Sequence, residues 1–234
     1  MMNYRDAYLC KLRRATEPVV TPTLKFGGAP VLFQDIMWPT CKFCGQELDF
    51  LAQIPLQEPL LLSKRYSMAY IFMCPGKFDE KGWLVCHTWE PNSGANLVLL
   101  QKWAVRSIRY PHSSDYPDYQ AELKFVREAV VDTSLDSDLD EEILETVHES
   151  TKIGGTPLWL QSSEGPICPK CGGRMRFVGQ LDAELDGPLP ADPKEWDAAR
   201  YNFFHFGGDD GIGYVFLCEN ECDPSAASFL WQCT

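Results

Sequence analysis

The chain has 234 residues, 45% of them hydrophobic and 23% charged, which is enough for one domain or two small ones. A formal net charge of −12 argues against direct nucleic-acid binding, because phosphate contacts rest on clustered Lys and Arg, and it favours a basic partner instead. No stretch approaches the roughly 20 apolar residues of a membrane span, and MMNYRDAYLCKLRRATEP lacks the apolar core of a secretory signal, so a cytoplasmic protein that avoids membranes is expected.

In chain order, residues 1–21 read as an N-terminal segment and residues 22–131 as a first unit. Its opening, Lys25-Phe26-Gly27-Gly28-Ala29-Pro30, places two glycines before a strand and predicts a tight turn with close backbone approach. Val31 to Phe33, Phe50 to Ile54 and Ala69 to Met73 are short, rich in branched and aromatic residues and bounded by Gly or Pro, so they predict strands. Gln120 to Val131 has helical character. Residues 132–150 then bring Leu135, Leu139, Ile143 and Val147 at about helical spacing among carboxylates, which predicts an acidic amphipathic helix or a solvated linker. In the second unit, 151–234, strands are predicted at Leu158 to Leu160, Arg176 to Leu181 and Gly213 to Leu217, with a hairpin turn around Asp209 and Asp210.

The two units read as copies of each other. Lys25 to Gln53 aligns with Lys152 to Gln180 without a gap, with identities that include Lys25/Lys152, Gly27/Gly154, Gly28/Gly155, Pro30/Pro157, Cys41/Cys168, Cys44/Cys171, Phe50/Phe177 and Gln53/Gln180. The echo resumes where Tyr70 to Cys74 matches Tyr214 to Cys218, after extra residues in the second copy between Asp182 and Gly208. The fold class expected is therefore mainly β (α+β) with few helices: two tandem repeats of a metal-bearing, β-rich unit related by a pseudo-twofold.

Ten cysteines in a chain without an export signal point to metal thiolates rather than disulfides. Cys168-Pro169-Lys170-Cys171-Gly172 has the spacing of a zinc knuckle, and Cys218 and Cys222 supply the second pair. Cys41, Cys44 and Cys74 form the equivalent set in the first copy, where Phe78 replaces the fourth cysteine and either Cys86 or His87 must complete the site. Two structural Zn²⁺ ions per chain are expected, with a rubredoxin-like iron site as the alternative, while Cys10 and Cys233 read as small apolar residues.

Nothing else carries catalytic chemistry. The chain lacks a Walker loop, a GxSxG elbow, HExxH and a dinucleotide fingerprint, and His112, His148 and His205 stand apart from any nucleophile. A binding protein rather than an enzyme is expected, with Trp38, Trp89, Trp159, Trp231, Gln53 and Gln180 as candidate contacts in an apolar cleft rimmed by carboxylates.

With these motifs in hand, the chain resembles the bacterial YwqG-like family, a domain of unknown function. The residues that carry the resemblance are Lys25 to Pro30, Trp38-Pro39-x-Cys41-x-x-Cys44-Gly45, Phe50 to Ile54, Cys86-x-Thr88-Trp89, Ser93 to Asn96, Met175 to Asp182 and Gly208 to Cys218. The order Gly-Gly-x-Pro, Cys-x-x-Cys and Leu-x-Gln-Ile is more distantly similar to the programmed cell death 2 family of dedicated ribosomal-protein chaperones. That kinship implies a chaperone-like binder of a basic protein or peptide client, and the bacterial relatives imply, as an alternative, an immunity protein that neutralises a toxin.

Overall fold

A computed structural model of the chain describes residues 3–110, 116–131, 147–185, 192, 194, 204–207 and 210–234. These residues form twelve β-strands and no α-helix. Ten strands make one sheet in the order β12-β11-β10-β9-β1-β8-β2-β4-β5-β6, antiparallel at every step.

The middle of the sheet is a pair of long strands, β1 (Tyr4–Arg14) and β8 (Tyr119–Ala129), in continuous register from Tyr4↔Ala129 to Arg14↔Tyr119. On the β8 side follow β2 (Lys25–Phe26), β4 (Asp49–Pro55), β5 (Met68–Met73) and β6 (Asn96–Gln101). On the β1 side follow β9 (Lys152–Gly154), β10 (Met175–Asp182), β11 (Ile212–Cys218) and β12 (Ala227–Gln232). A small second sheet pairs β3 (Val31–Leu32) with β7 (Ile108–Arg109).

The sheet curls until its ends nearly meet. Leu100 N donates to Pro224 O at 3.0 Å, Trp231 Nε1 to Thr88 Oγ1 at 3.1 Å, and Ser228 Oγ to Asn92 Oδ1 at 2.9 Å. β6 and β12 form no ladder with each other, so the barrel-like sheet is almost closed.

Strand periodicity sorts the core into three layers. On β5, Ala69, Ile71 and Met73 enter a central cluster shared by both halves, while Met68, Tyr70 and Phe72 enter an outer cluster on the first half. On β11, Val215 and Leu217 face the central cluster, while Ile212, Tyr214, Phe216 and Cys218 face a second outer cluster. Irregularities at Phe50/Ala52 and Phe177/Gly179 kink β4 and β10 at matching positions.

The glycine pairs do what their spacing suggests. Gly27, Gly28, Gly154 and Gly155 all have φ between 62° and 76°, and Gly28 N and Gly155 N donate to Tyr116 O and Asp6 O. A Cβ on Gly28 would meet the Asp118 carboxylate, and one on Gly155 the Glu128 carboxylate. These carboxylates hold the fully buried lysines: Lys25 pairs with Asp118, and Lys152 Nζ lies 2.8 Å from Glu128 Oε1.

Two sequence expectations change. Gln120 to Val131 is not helical, because Tyr119–Ala129 is β8, where β1 supplies an eleven-residue partner. Leu158 to Leu160 is not a ladder strand, because its polar backbone groups bond to side chains: Leu158 N to Gln180 Oε1, Leu160 N to Gln232 Oε1, and Leu158 O to the Tyr214 hydroxyl. The N-terminal segment contains β1, which pairs with a strand of each half. Of the predicted acidic helix, residues 132–146 lie outside the described residues, as do parts of the extra stretch before Gly208 and the turn at Asp209, while residues 147–150 are not helical. No helix of the described residues is long and apolar enough to cross a membrane.

Candidate metal centres

Eight cysteines converge in two groups, Cys41, Cys44, Cys74 and Cys86 in the first half and Cys168, Cys171, Cys218 and Cys222 in the second. Within each group all four Sγ atoms lie within 4.8 Å of one another.

Each Cys-x-x-Cys pair is a tight knuckle set by its backbone. In the first, Cys41 N donates to Gln46 O at 2.8 Å and Gly45 N to Cys41 O at 2.9 Å, with Gly45 at φ 74°. In the second, Cys168 N donates to Gly173 O and Gly172 N to Cys168 O, both at 2.9 Å, with Gly172 at φ 67°. Gly45 and Gly172 permit the left-handed step that turns the second thiol back towards the first.

The partner cysteines come from strand ends. Cys74 follows β5 and Cys218 ends β11, so two hydrogen-bonded strands aim their last thiols at the knuckles. After Cys218 a short turn, with Glu221 at φ 46° and its N donating to Cys218 O, delivers Cys222. After Cys74 the chain instead makes a hairpin, closed by the Phe78↔Leu84 bridge and by Val85 N donating to Lys77 O, which returns Cys86 to the site.

His87 does not join the thiols. Its ring stacks between Phe43, at 4.8 Å, and Trp89, at 5.0 Å, and its Nδ1 lies 3.4 Å from Glu90 Oε2. Cys10 is buried away from both groups, and Cys233 belongs to neither.

Sulfur separations of 3.6 Å for Cys44–Cys74 and Cys168–Cys222, 3.5 Å for Cys171–Cys218 and 3.8 Å for Cys218–Cys222 are close to the edge of about 3.8 Å in a tetrahedron whose metal–sulfur distance is about 2.3 Å. Burial and then the neighbouring thiols push Cys86 up to about 11, and burial also drives Cys74 well above an ordinary thiol. In the second group burial leads Cys222 up to about 12, whereas a hydrogen bond from Asn220 Nδ2 to Sγ leads Cys171 down to about 6. Four thiols this close cannot all ionise alone, and a divalent cation removes that barrier by binding thiolates directly. The donor sets fit two metal ions, each by sulfur alone.

The candidate binding aromatics divide. Trp159 and Trp231 are buried at 8% exposure each, so they are core residues, and Trp38 donates Nε1 to Leu48 O and stacks on Tyr110. Only Trp89, at 36%, reaches solvent substantially. Gln53 and Gln180 are fully buried and serve the fold: their Oε1 atoms accept from Val31 N and Leu158 N, and their Nε2 atoms donate to Thr23 O and Glu149 O.

Sequence reasoning missed Glu221, which is buried between the ligands of the second group and accepts from Ser63, Arg65 and Arg176. It also missed Gln101 and Gln232, whose Oε1 atoms accept from Phe33 N and Leu160 N. They end β6 and β12, two strands that were not predicted from the sequence. No protein-family model matches the chain, and neither does any curated protein.

Proposed function

We propose that the chain is a cytoplasmic protein- or peptide-binding module held in shape by two structural Zn²⁺ ions, with a basic, chaperone-type client. Soft thiolate donors at tetrahedral spacing favour Zn²⁺, and sets of four leave no coordination position for a substrate. The chain is accordingly read as a binder and not as an enzyme. The resemblance to the YwqG-like and programmed cell death 2 families favours the same reading, and matching roles for Lys25/Lys152, Gln53/Gln180 and Tyr70/Tyr214 support two repeats.

The observation that carries the binding role is an apolar cleft of about 450 Å³ between the halves. Leu24, Pro55 and Pro59 of the first half and Ile153 of the second wall it, over a floor that includes Tyr8 and Leu123. Leu123 is 40% exposed and its strand neighbour Phe125 52%, which is unusual for large apolar side chains at the centre of a sheet. Glu58 is the lone carboxylate in the lining, so the expected rim of carboxylates is absent there, and attraction for a basic client rests on the net charge of −12.

Fluorescence anisotropy with labelled Arg- and Leu-containing peptides tests this. Saturable, salt-sensitive binding that weakens at least about tenfold in Leu123→Glu supports the role. Binding that the substitution leaves unchanged refutes the cleft, and no binding across the set refutes the basic client.

A further inference from the structure

A second cleft, of about 390 Å³, lies where the sheet nearly closes, between the two cysteine knuckles. Lys42, between Cys41 and Cys44, and Lys170, between Cys168 and Cys171, both line it, together with Thr40, Asn92, Ser225 and Ser228. No carboxylate is among its lining residues, in a chain whose formal net charge is −12. Neither lysine has a carboxylate within ion-pair distance among the described residues. Asp223, outside the lining, feels the charge of Lys170 and accepts from both Oγ and N of Ser225.

The polar wall keeps the Asn92 side-chain amide as a donor. Ser228 Oγ donates to Asn92 Oδ1, which leaves the Nδ2 hydrogens of Asn92 for another acceptor, and Asn92 is fixed in a left-handed conformation at φ 61°. Behind this wall lie the buried side chains of Val98 and Phe229 on the two edge strands, β6 and β12.

We propose that this inter-knuckle cleft binds the phosphate monoester group of a small organic molecule. Two ammonium groups match a dianion, Lys serves phosphate as a point charge, and the Asn92 side-chain amide adds a donor to the phosphate oxygens. A volume several times that of one anion leaves space for the organic part against the apolar strands. The site is distinct from the cleft over Leu123 and stands whether or not that cleft binds peptides.

The test uses the full metal-loaded chain in low salt, with phenyl phosphate, inorganic phosphate and phenylacetate as probes, followed by amide chemical shifts. Saturable shifts for phenyl phosphate, centred on Lys42, Asn92, Lys170 and Ser228 and weaker for the other two probes, are expected. Lys42→Gln and Lys170→Gln should each weaken binding about tenfold or more while metal content stays at the wild-type value. Should either variant lose metal, Asn92→Gly, which keeps the left-handed backbone, replaces it in the comparison. Absence of saturation by roughly 10 mM overturns the proposal, as does equal binding of phenylacetate or unaltered affinity in the variants.

Discussion

Ser63 Oγ donates to Glu221 Oε2 at 2.9 Å, which ties a loop of the first half to the residue that precedes a cysteine of the second metal centre. The same carboxylate accepts from Lys64 N at 3.1 Å, Arg65 N at 2.8 Å and Arg176 Nη2 at 2.7 Å, while Arg65 Nη1 donates to Glu221 O at 3.0 Å. One side chain in the Cys218–Cys222 turn thus gathers both halves around the second centre.

Replacing Glu221 with Ala removes an acceptor from four donors at once. A loss of about 2–3 kcal/mol in unfolding free energy is expected, because the partners are left half-buried and unsatisfied. Native-state hydrogen exchange should show the Lys64 and Arg65 amides opening faster with both metals still bound. Unchanged exchange at these amides would contradict the role given to Glu221.

Lys152 and Glu128 are both fully buried, and Glu128 also accepts from Thr156 N at 2.8 Å and His148 N at 3.0 Å. Lys152→Met alone is expected to cost about 3–5 kcal/mol, since it strands a buried carboxylate. Adding Glu128→Gln should recover part of that loss. A urea double-mutant cycle measures it, and simple additivity would show that the pair is not coupled.

Asp182 gives the clearest pH dependence. Burial, with the nearby Glu184, Glu149 and Asp210 charges, raises its carboxyl to about 6, against the opposing hydrogen bond from Glu184 N. A raised folded-state pKa stabilises the fold below the unfolded value and loses that contribution as pH climbs through the folded value. Asp182→Asn should therefore gain on wild type between about pH 4 and pH 6 and keep a constant advantage above that range. Paired urea titrations across the range decide it, and a constant difference throughout would be the contrary result.

The cysteine sites were legible because Cys-x-x-Cys spacing is a local property of the chain, and even the departure at Phe78 pointed onward to Cys86. The centre of the sheet was hidden. From β8 into the residue after it, Leu123, Val126 and Val130 recur at helical spacing among good helix formers, and the ladder that overrides this preference comes from β1, distant in sequence, and from β2. Leu158 to Leu160 misled in the opposite sense, because side-chain amides of Gln180 and Gln232 take the place of a neighbouring strand. Glu221 carries no local signal, because its partners Ser63 and Arg65 are too distant in sequence to be read.

The most direct test is X-ray absorption at the metal edge, with metal content per chain, on protein purified without added zinc. The expected result is two Zn²⁺ per chain, each with four sulfur neighbours at about 2.3 Å and no light-atom neighbour. Fewer than two ions, or a mixed sulfur and nitrogen or oxygen shell, would contradict the assignment of all eight cysteines to closed structural sites.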